Sequence, residues 1–281
     1  MNLNLRRRYL KERLMVALVA LGTLVVLVPL FFILFYVFLQ GIGAWNLAFF
    51  TQRPLPPGES GGGMLPAIVG SFVVDGIALL IAGFFGIAAG LLLAEYPEHP
   101  LNPLLRLVSD VMAGLPAILM GLVAFVLVVK PLGHFSGLSG SVALALLMIP
   151  IIARSTEGVL RLVPWELREA GLALGLPRWR VILSLVVPAA RGGIITGLML
   201  ALARAAGEAA PLLFTAFGNP FLTLDPMQPM DTLPLKIFVY AISPYEDWHR
   251  QAWGAALLLA LLIMVANYLA RRASRGIGGG R

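Results

Sequence analysis

The chain of 281 residues contains no cysteine and only three histidines. Without cysteine it has no disulfide, no thiol nucleophile and no cysteine-ligated metal site. His99, His134 and His249 fall in separate segments without the spacing of metal ligands, which argues against a zinc enzyme. We therefore predict that the chain has no catalytic residue and no metal site.

Charged residues are also scarce, at 12% of the chain, whereas hydrophobic residues make up 59%. Several apolar runs approach the roughly 20 residues that an α-helix needs to span a bilayer. A soluble protein of this length does not have this composition, so the sequence predicts an all-α, multi-pass membrane protein. The net charge of +7 does not indicate nucleic-acid binding, because the positive charges lie mainly between the apolar runs.

The apolar runs predict six transmembrane helices. In chain order they cover residues 14–39, 67–94, 109–129, 138–153, 192–213 and 251–270. The remaining segments are a basic N-terminus (1–13), outer loops at 40–66 and 214–250, an inner loop at 154–191 and a C-terminal tail (271–281). The predicted core of the protein is residues 67–270, which hold five of the six spans.

The positive charges predict the orientation of these spans. Of the 21 Lys and Arg residues, sixteen lie in segments assigned to the inside, four lie outside and Arg204 lies within a span. By the positive-inside rule, both termini are cytoplasmic. A secretory signal peptide is the alternative for the first apolar run. That run is longer than a signal sequence, however, and no clean cleavage site follows it.

A glycine-rich stretch, GESGGG at 58–63, lies in the first outer loop. No Lys-Ser or Lys-Thr pair follows it and no strand precedes it, so it is not a phosphate-binding P-loop. The P-loop pattern is missing from the whole sequence. We therefore predict that this chain does not hydrolyse ATP in that manner.

Two predicted spans carry small residues at every fourth position, a spacing that lets a neighbouring helix approach closely. These residues are Ala82, Gly86 and Gly90 in the second span, and Gly193, Gly197, Ala201, Ala205 and Ala209 around the fifth. Gly114 and Pro116 interrupt the third span, and a broken helix lining a cavity and a simple proline kink are equal alternatives. Asp75, near the outer end of the second span, either lines a pathway or is an interfacial residue.

Residues 164–188, PWELREAGLALGLPRWRVILSLVVP, form a polar segment between two apolar runs. Pro164 suits the first turn of a helix, and Glu169 lies where the helix dipole favours negative charge. Gly175 suits the left-handed position that ends a helix, and Pro177 prevents its continuation. A helix of about ten residues is not stable alone, so it must pack on something. At helical spacing, the face suited to packing holds Leu167, Ala170, Gly171 and Leu174.

This segment resembles the EAA signature of the permease subunits of ABC importers. The matching residues are Glu169, Ala170, Gly171, Gly175 and Pro188, with Gly171 in place of the usual second alanine. The resemblance implies a MetI-like permease fold and a short coupling helix that docks on a cytoplasmic ATPase subunit. An ordinary amphipathic helix on the membrane surface is the alternative.

Arg204 and Glu208 lie one helical turn apart in the fifth predicted span. A charge at mid-membrane costs about 2.5–3.5 kcal/mol, whereas an ion pair at this spacing returns only about 0.2–0.5 kcal/mol. We therefore expect both side chains to face the bundle interior or a watery cavity. Either they form a structural ion pair that locks two helices, or they line an anion path. In an anion path, Arg204 would donate to an oxyanion and Glu208 would orient it.

Residues 203–216, ARAAGEAAPLLFTA, resemble a segment of the PstA-type permeases of phosphate importers, as do residues 150–175 and 62–71. Ala209 stands where threonine is usual. The resemblance implies that Arg154 and Arg204 lie on a phosphate path, with Arg154 at its inner mouth. It also implies several partners: a PstC-like permease or a second copy, PstB-like ATPase subunits that bind ATP and Mg²⁺, and an external PstS-like binding protein.

We therefore expect a permease subunit of an ATP-driven phosphate importer, without a cofactor of its own, in a bacterial or archaeal cytoplasmic membrane. One alternative is an ABC permease for another oxyanion, such as sulfate or molybdate. The other is an ATP-independent secondary transporter, which would have no use for an ATPase-docking helix.

Overall fold

The computed structural model of the chain describes residues 3–275. The predictions for residues 1–2 and for the end of the tail, 276–281, lie outside the described residues. Within residues 3–275 the regular structure is helical, apart from one isolated β-bridge between Phe217 and Met230.

Five long helices form the framework of the molecule: α1 (Leu3–Ile42), α3 (Leu65–Glu95), α7 (Gly137–Arg161), α10 (Val187–Ala205) and α13 (Glu246–Arg275). The shorter helices are α2 (Leu47–Thr51), α4 (Asn102–Gly114), α5 (Ala117–Ala124), α6 (Lys130–Leu132), α8 (Trp165–Ala173), α9 (Arg178–Val181), α11 (Ala210–Leu213) and α12 (Leu233–Ala241). Two π-helical turns, Phe125–Val129 and Ile182–Val186, join α5 to α6 and α9 to α10.

Five helical stretches within residues 3–275 are long and apolar enough to cross a membrane, and the bent pair formed by α4 and α5–α6 makes a sixth. This agrees with the six predicted spans, although the bounds differ. The helix predicted to cover residues 14–39 extends over Leu3–Ile42, and the second span, predicted at residues 67–94, is α3. We call the end of the bundle where α3 and α7 finish the inner end, after the orientation predicted from the positive charges.

Helix α7 lies at the centre of the bundle, between α3 and α10. A Cβ atom added to Gly86 would lie 2.7 Å from the Cβ of Ile152, and one added to Gly90 would lie 2.6 Å from the Cβ of Thr156. The small residues of α3 therefore let its backbone approach α7 closely, as the four-residue spacing predicts. On the other side of α7, Gly197 plays the same role in α10.

The third predicted span is a broken helix. Helix α4 ends at Gly114, α5 begins at Ala117, and the two are bent by 113°. Leu115 is extended, with ψ of 141°, because the proline that follows it disfavours helical geometry. Of the two alternatives left by the sequence, the broken backbone is therefore the one found.

The prediction that the fourth span ends at Ala153 was wrong. Helix α7 continues for two more turns to Arg161 and carries Arg154 and Glu157 within it. The carboxylate of Glu157 binds Arg154 at 3.3 Å and Arg161 at 2.8 Å, at helical spacings of three and four residues. Because these charges neutralise one another along the helix, they do not end it.

The prediction of one continuous helix over residues 192–213 was also wrong. The helical stretch begins at Arg178 and ends at Ala205, and a separate helix, α11, starts at Ala210. Pro211 has no N–H, and in a continuous helix its ring would clash with the carbonyl of Gly207. The chain therefore breaks in the segment that contains Gly207 and Glu208.

The outer loop between α11 and α12 is fastened to the outer end of α3. The backbone N–H of Leu233 donates to the Ser71 hydroxyl at 2.8 Å, and Gly70 packs directly against the backbone of Asp231. The buried carboxylate of Asp231 pairs with Lys236 at 2.8 Å. Burial raises the pKa of Asp231, while the nearby Lys236 ammonium acts in the opposite direction. This loop is therefore packed against the outer end of α3.

Helix α1 packs on α13 near its outer end. The rings of Tyr36 and Trp253 meet edge to face with centroids 5.2 Å apart, and a Cβ atom on Gly41 would lie 2.6 Å from the Cβ of Leu257. The apolar side chains of α1 from Leu14 to Leu34 are exposed. Since α1 is not part of the buried core, the site must be sought among α3 to α11.

Candidate functional site

Helix α8 forms where the sequence predicts a short coupling helix. It covers Trp165–Ala173, one residue after Pro164, which caps it with extended geometry. Gly175 has a φ of +76°, the left-handed conformation that glycine adopts without strain, and its N–H bonds the Leu172 carbonyl at 2.9 Å. The proline and glycine of the motif therefore set the two ends of this helix.

Gly171 explains how α8 fits against the rest of the chain. It is buried, and an added Cβ atom would lie 2.8 Å from the Cδ1 of Leu185 and 2.9 Å from the Cγ2 of Val181. Glycine in place of the usual alanine thus allows α8 to approach the π-helical turn and α9 closely. On the predicted packing face, Gly171 is buried within this chain and Leu167 is half-buried. Ala170 and Leu174 are exposed and stay accessible to a partner.

Arg168 attaches α8 to the membrane helices. Its guanidinium binds the Glu95 carboxylate with two hydrogen bonds, Nε to Oε2 at 3.0 Å and Nη2 to Oε1 at 2.5 Å. It also donates to the backbone carbonyls of Leu160 (3.0 Å) and Val163 (2.8 Å). Both charged side chains are buried, at 8% and 3% exposure. A displacement of α8 therefore acts directly on the inner ends of α3 and α7.

The outward surface of α8 and its neighbours is apolar and exposed. Glu169 and Ala170, the first two residues of the signature, face solvent. Around them, large apolar side chains are exposed by 47–81%: Leu162, Trp165, Leu172, Leu174 and Trp179. A cluster of large exposed apolar side chains on and beside a short helix is typical of a surface that binds another protein.

Pro188, the last residue of the signature, follows the second π-helical turn by two residues. The N–H of Val187 bonds the carbonyl of Ile182, and Pro188 itself has no N–H to donate. Pro131 follows the first π-helical turn by the same interval. In both places the widened turn relieves the clash that a proline ring makes with the carbonyl four residues before it. Periodicity alone gives no sign of these turns.

Arg154 lies two turns before the inner end of α7 and binds two acids. Its guanidinium contacts Asp110 of α4 at 2.5 Å and Glu157 at 3.3 Å. The Glu157 carboxylate is also bound by Arg106 at 2.6 Å and by Arg161 at 2.8 Å. We call Arg106, Arg154, Arg161, Glu157 and Asp110 the inner cluster. The structure thus adds four side chains to the one residue predicted here.

Arg204 and Glu208 do not form the pair that their spacing predicts. Arg204 is in the last turn of α10, whereas Glu208 lies beyond its end, before α11. Neither side chain makes an ion pair within 4.0 Å in the described part of the chain, and Arg204 is exposed. The structural ion pair considered above is therefore ruled out in this conformation, and the guanidinium is free to bind an anion.

Arg154 and Arg204 differ in their depth along the axis of the bundle. Helices α7 and α10 run antiparallel, with Gly197 packed against Ser155. Arg154 is one residue from Ser155 towards the outer end, and Arg204 is seven residues from Gly197 in the same direction. At 1.5 Å per residue, Arg204 lies about 9 Å farther out than Arg154. The two predicted site residues therefore lie at different depths in the bundle.

Asp75 faces a cavity between α3, α10 and α13. Apolar side chains such as Leu202 and Leu259 line the cavity, and Asp75 forms no hydrogen bond or ion pair with the described residues. No group of three His, Asp or Glu residues among those described is arranged to hold a metal ion. The charged groups best placed to contact an anion are therefore Arg204 and the inner cluster.

The sequence matches the model of one protein family over residues 86–278, more than half of the chain. That family is described as the binding-protein-dependent transport system inner membrane component. The chain belongs to this family. It is a multi-pass membrane protein and a transport subunit rather than an enzyme, and ATP hydrolysis in such systems resides in a separate subunit.

Curated relatives extend the match to nearly the whole length. The phosphate transport system permease protein PstA of Yersinia pestis is 44% identical over 86% of this chain and 82% of that protein. The protein of the same name from Pasteurella multocida is 41% identical over 96% of both chains. An archaeal relative, the probable PstA of Methanocaldococcus jannaschii, is 34% identical over 92% of this chain and 91% of its own.

Solved structures show the same fold. A chain of the MetNI methionine ABC transporter, in an inward-facing conformation, superposes with a TM-score of 0.62 at 19% identity, covering 76% of this chain and 97% of that one. An amino acid ABC transporter gives a TM-score of 0.53 at 12% identity, with 75% and 92% covered. The predicted MetI-like permease fold is therefore confirmed.

Proposed function

We propose that this chain is the PstA-type permease subunit of an ATP-driven importer of inorganic phosphate. Relatives named as phosphate permeases cover 86–96% of the chain at 41–44% identity, which supports phosphate as the substrate. The residues that the sequence assigns to an anion path, Arg204 and Arg154, are both arginines whose side chains reach solvent-accessible space.

Arg204 is the single observation that carries this proposal. Its guanidinium ends α10 without an acidic partner among the described residues, although a charge within a span costs about 2.5–3.5 kcal/mol. A planar guanidinium offers paired N–H donors that fit the oxygens of phosphate. Glu208, just beyond the helix, does not bind Arg204 in this conformation, and we assign it to hydrogen-bonding a protonated anion. An unpaired arginine is useful at this depth when its counter-ion is the substrate.

A second permease subunit must complete the phosphate path, because Arg204 lies on an exposed face of α10. A PstS-like binding protein delivers phosphate at the outer end, between this chain and a second permease, either PstC-like or another copy. Phosphate then passes Arg204 and, about 9 Å farther in, Arg154. The protein works in the cytoplasmic membrane of a bacterium or archaeon, with its positive inner end towards the cytoplasm.

A pair of PstB-like ATPase subunits, which bind ATP and Mg²⁺, serves the importer, and the exposed surface around Glu169 and Ala170 is where this chain binds them. When these subunits close, α8 moves. The buried bond between Arg168 and Glu95 carries that movement to α3, while Gly171 keeps α8 tight against the segment that leads to Pro188. No nucleic acid takes part.

The test is uptake by the complex reconstituted with its partner subunits in proteoliposomes. We expect ATP-dependent uptake of radiolabelled phosphate that excess sulfate or molybdate does not inhibit. Equal inhibition by sulfate or molybdate would assign the chain to another oxyanion. Uptake that continues without ATP would instead indicate a secondary transporter.

The variant Arg204→Gln tests the residue that carries the proposal. A hydrogen bond to a charged group contributes about 1.5–3 kcal/mol, so we expect phosphate uptake to fall by about 10- to 150-fold while the complex still assembles. Arg250→Gln is the matched control, because Arg250 pairs only at the surface, with Asp247 at 3.4 Å. Wild-type uptake in Arg204→Gln would remove the arginine from the path.

A further inference from the structure

Three arginines converge on one carboxylate at the inner end of the bundle. Oε1 of Glu157 accepts a hydrogen bond from Arg106 of α4 at 2.6 Å and lies 2.8 Å from Nη2 of Arg161 of α7, and Oε2 accepts from Arg154 at 3.3 Å. The carboxylate is only 6% exposed. It therefore sits beneath the three guanidiniums rather than beside them.

The guanidiniums themselves face water. The side chains of Arg106, Arg154 and Arg161 are 38%, 36% and 53% exposed. Each guanidinium has five N–H donors, and Arg106 and Arg161 each use a single nitrogen on Glu157. Part of each arginine side chain therefore remains accessible to an oxyanion that approaches from solvent.

The charges of the inner cluster do not balance. Three positive side chains face two carboxylates, Glu157 and Asp110, and Asp110 binds only Arg154 and is 66% exposed. The cluster therefore keeps a net positive charge when its internal acids are in place. It attracts an anion even in the conformation described here.

From this geometry we propose that Arg106, Arg154 and Arg161 form an oxyanion-binding exit site for inorganic phosphate. Glu157 is its internal competitor, which occupies the arginines and so displaces the leaving anion. The proposal rests on the proposed function and extends it, because it adds a second site inside Arg204 and gives a role to an acid. Asp110 assists Glu157 as a weaker, more exposed competitor.

Competition by Glu157 at the exit site favours the release of phosphate. Three guanidiniums without a counter-ion would hold a phosphate dianion through several charge-assisted hydrogen bonds, and the transporter would stall with its product bound. A carboxylate attached to the same helix competes at an effective concentration in the millimolar range or above, whatever the phosphate level. Phosphate therefore exchanges at this site rather than accumulating on it.

The rival interpretation is that the inner cluster only clamps α4 to α7. Both interpretations expect Arg106→Gln to loosen this contact. They differ in the phosphate affinity expected for Glu157→Gln. If the cluster is only a clamp, the substitution removes the shared carboxylate and does not increase phosphate binding. If it is an exit site, the substitution removes the competitor and phosphate binds more tightly.

The experiment measures equilibrium binding of radiolabelled inorganic phosphate to the whole importer complex in nanodiscs, without its binding protein. For Glu157→Gln we expect a Kd at least tenfold lower than wild type, together with slower phosphate uptake. Adding Arg106→Gln to this variant should restore a weak Kd. Asp247→Asn, which removes the acid of the surface pair with Arg250, should leave the Kd unchanged.

An unchanged or weaker Kd in Glu157→Gln would overturn the exit site and leave the clamp. If that variant fails to assemble, Asp110→Asn replaces it, since its exposed side chain is not needed for packing. A several-fold lower Kd is then expected, and an unchanged Kd would also overturn the proposal. Absence of phosphate uptake by the wild-type complex would instead count against the proposed function, so the two failures are separable.

Discussion

At the inner end of the bundle, Glu95 and Glu157 together hold four arginines, whereas at the end of α10 Arg204 and Glu208 hold no ion pair in the described structure. The Glu95–Arg168 pair is buried, whereas the guanidiniums around Glu157 are partly exposed. Exposed pairs contribute little to stability, but removal of one partner from a buried pair is strongly destabilising. The charges beside the break in α10 lie where pairing would be most favourable, and yet they are unpaired. The buried Glu95–Arg168 pair attaches α8 to α3. The unpaired Arg204 is instead the side chain for which we propose the substrate as counter-ion.

The comparison predicts opposite responses to the removal of an arginine. Loss of Arg168 leaves Glu95 buried without a counter-charge, which is strongly destabilising. Loss of Arg204 leaves no group behind that depended on it. Stability should therefore fall in the first case and transport in the second.

The largest effect on stability is expected for Arg168→Met. Breaking a buried ion pair by removing one partner costs about 3–5 kcal/mol, so the thermal unfolding temperature of the purified complex should drop sharply. The double variant Glu95→Leu with Arg168→Met should recover most of this loss, because no buried charge remains. Arg204→Gln, in the same assay, should unfold like wild type. A small loss in Arg168→Met would mean that the pair seen between α3 and α8 is not maintained.

A smaller loss of stability, about 1–3 kcal/mol, is expected for Gly90→Ala, because overpacking forces neighbouring atoms to move. The new methyl group would lie 2.6 Å from the Cβ of Thr156, which cannot rotate away. Gly76→Ala is the matched control on α3, since no atom lies within 4 Å of the added methyl group. Thermal unfolding of both variants checks the α3–α7 contact, and equal stability would argue against it.

The smallest effect on stability, within about 0.5 kcal/mol, is expected for Glu169→Lys, because the side chain is exposed. Its effect on coupling should be large: ATP-driven phosphate uptake should be lost although the protein still inserts. Glu166→Lys, on the same helix and also exposed, is the matched charge reversal and should retain uptake. Uptake that survives in Glu169→Lys would contradict the docking role of α8.

Local signals in the sequence predicted the features that depend on local physics. Proline and glycine set the ends of α8, and the four-residue spacing of glycines in α3 identified the surface packed on α7. Both follow from the conformational properties of single residues and from helical periodicity, so they can be read without knowing the fold.

The features that the sequence did not predict depend on partners far along the chain. Charge was taken as the end of a span at Arg154, but Glu157 and Asp110 neutralise that charge and the helix continues. The bond between Glu95 and Arg168 joins residues 73 positions apart, a distance at which spacing carries no information. The break before α11 was readable in principle, since Pro211 excludes a helical bond to Gly207.

The two prolines that follow the π-helical turns have a lasting consequence. An ordinary wide turn can migrate along a helix as each N–H changes its acceptor, so the irregularity drifts and can vanish. Pro131 and Pro188 have no hydrogen with which to make that exchange. Neither π-helical turn can therefore migrate past the proline that follows it.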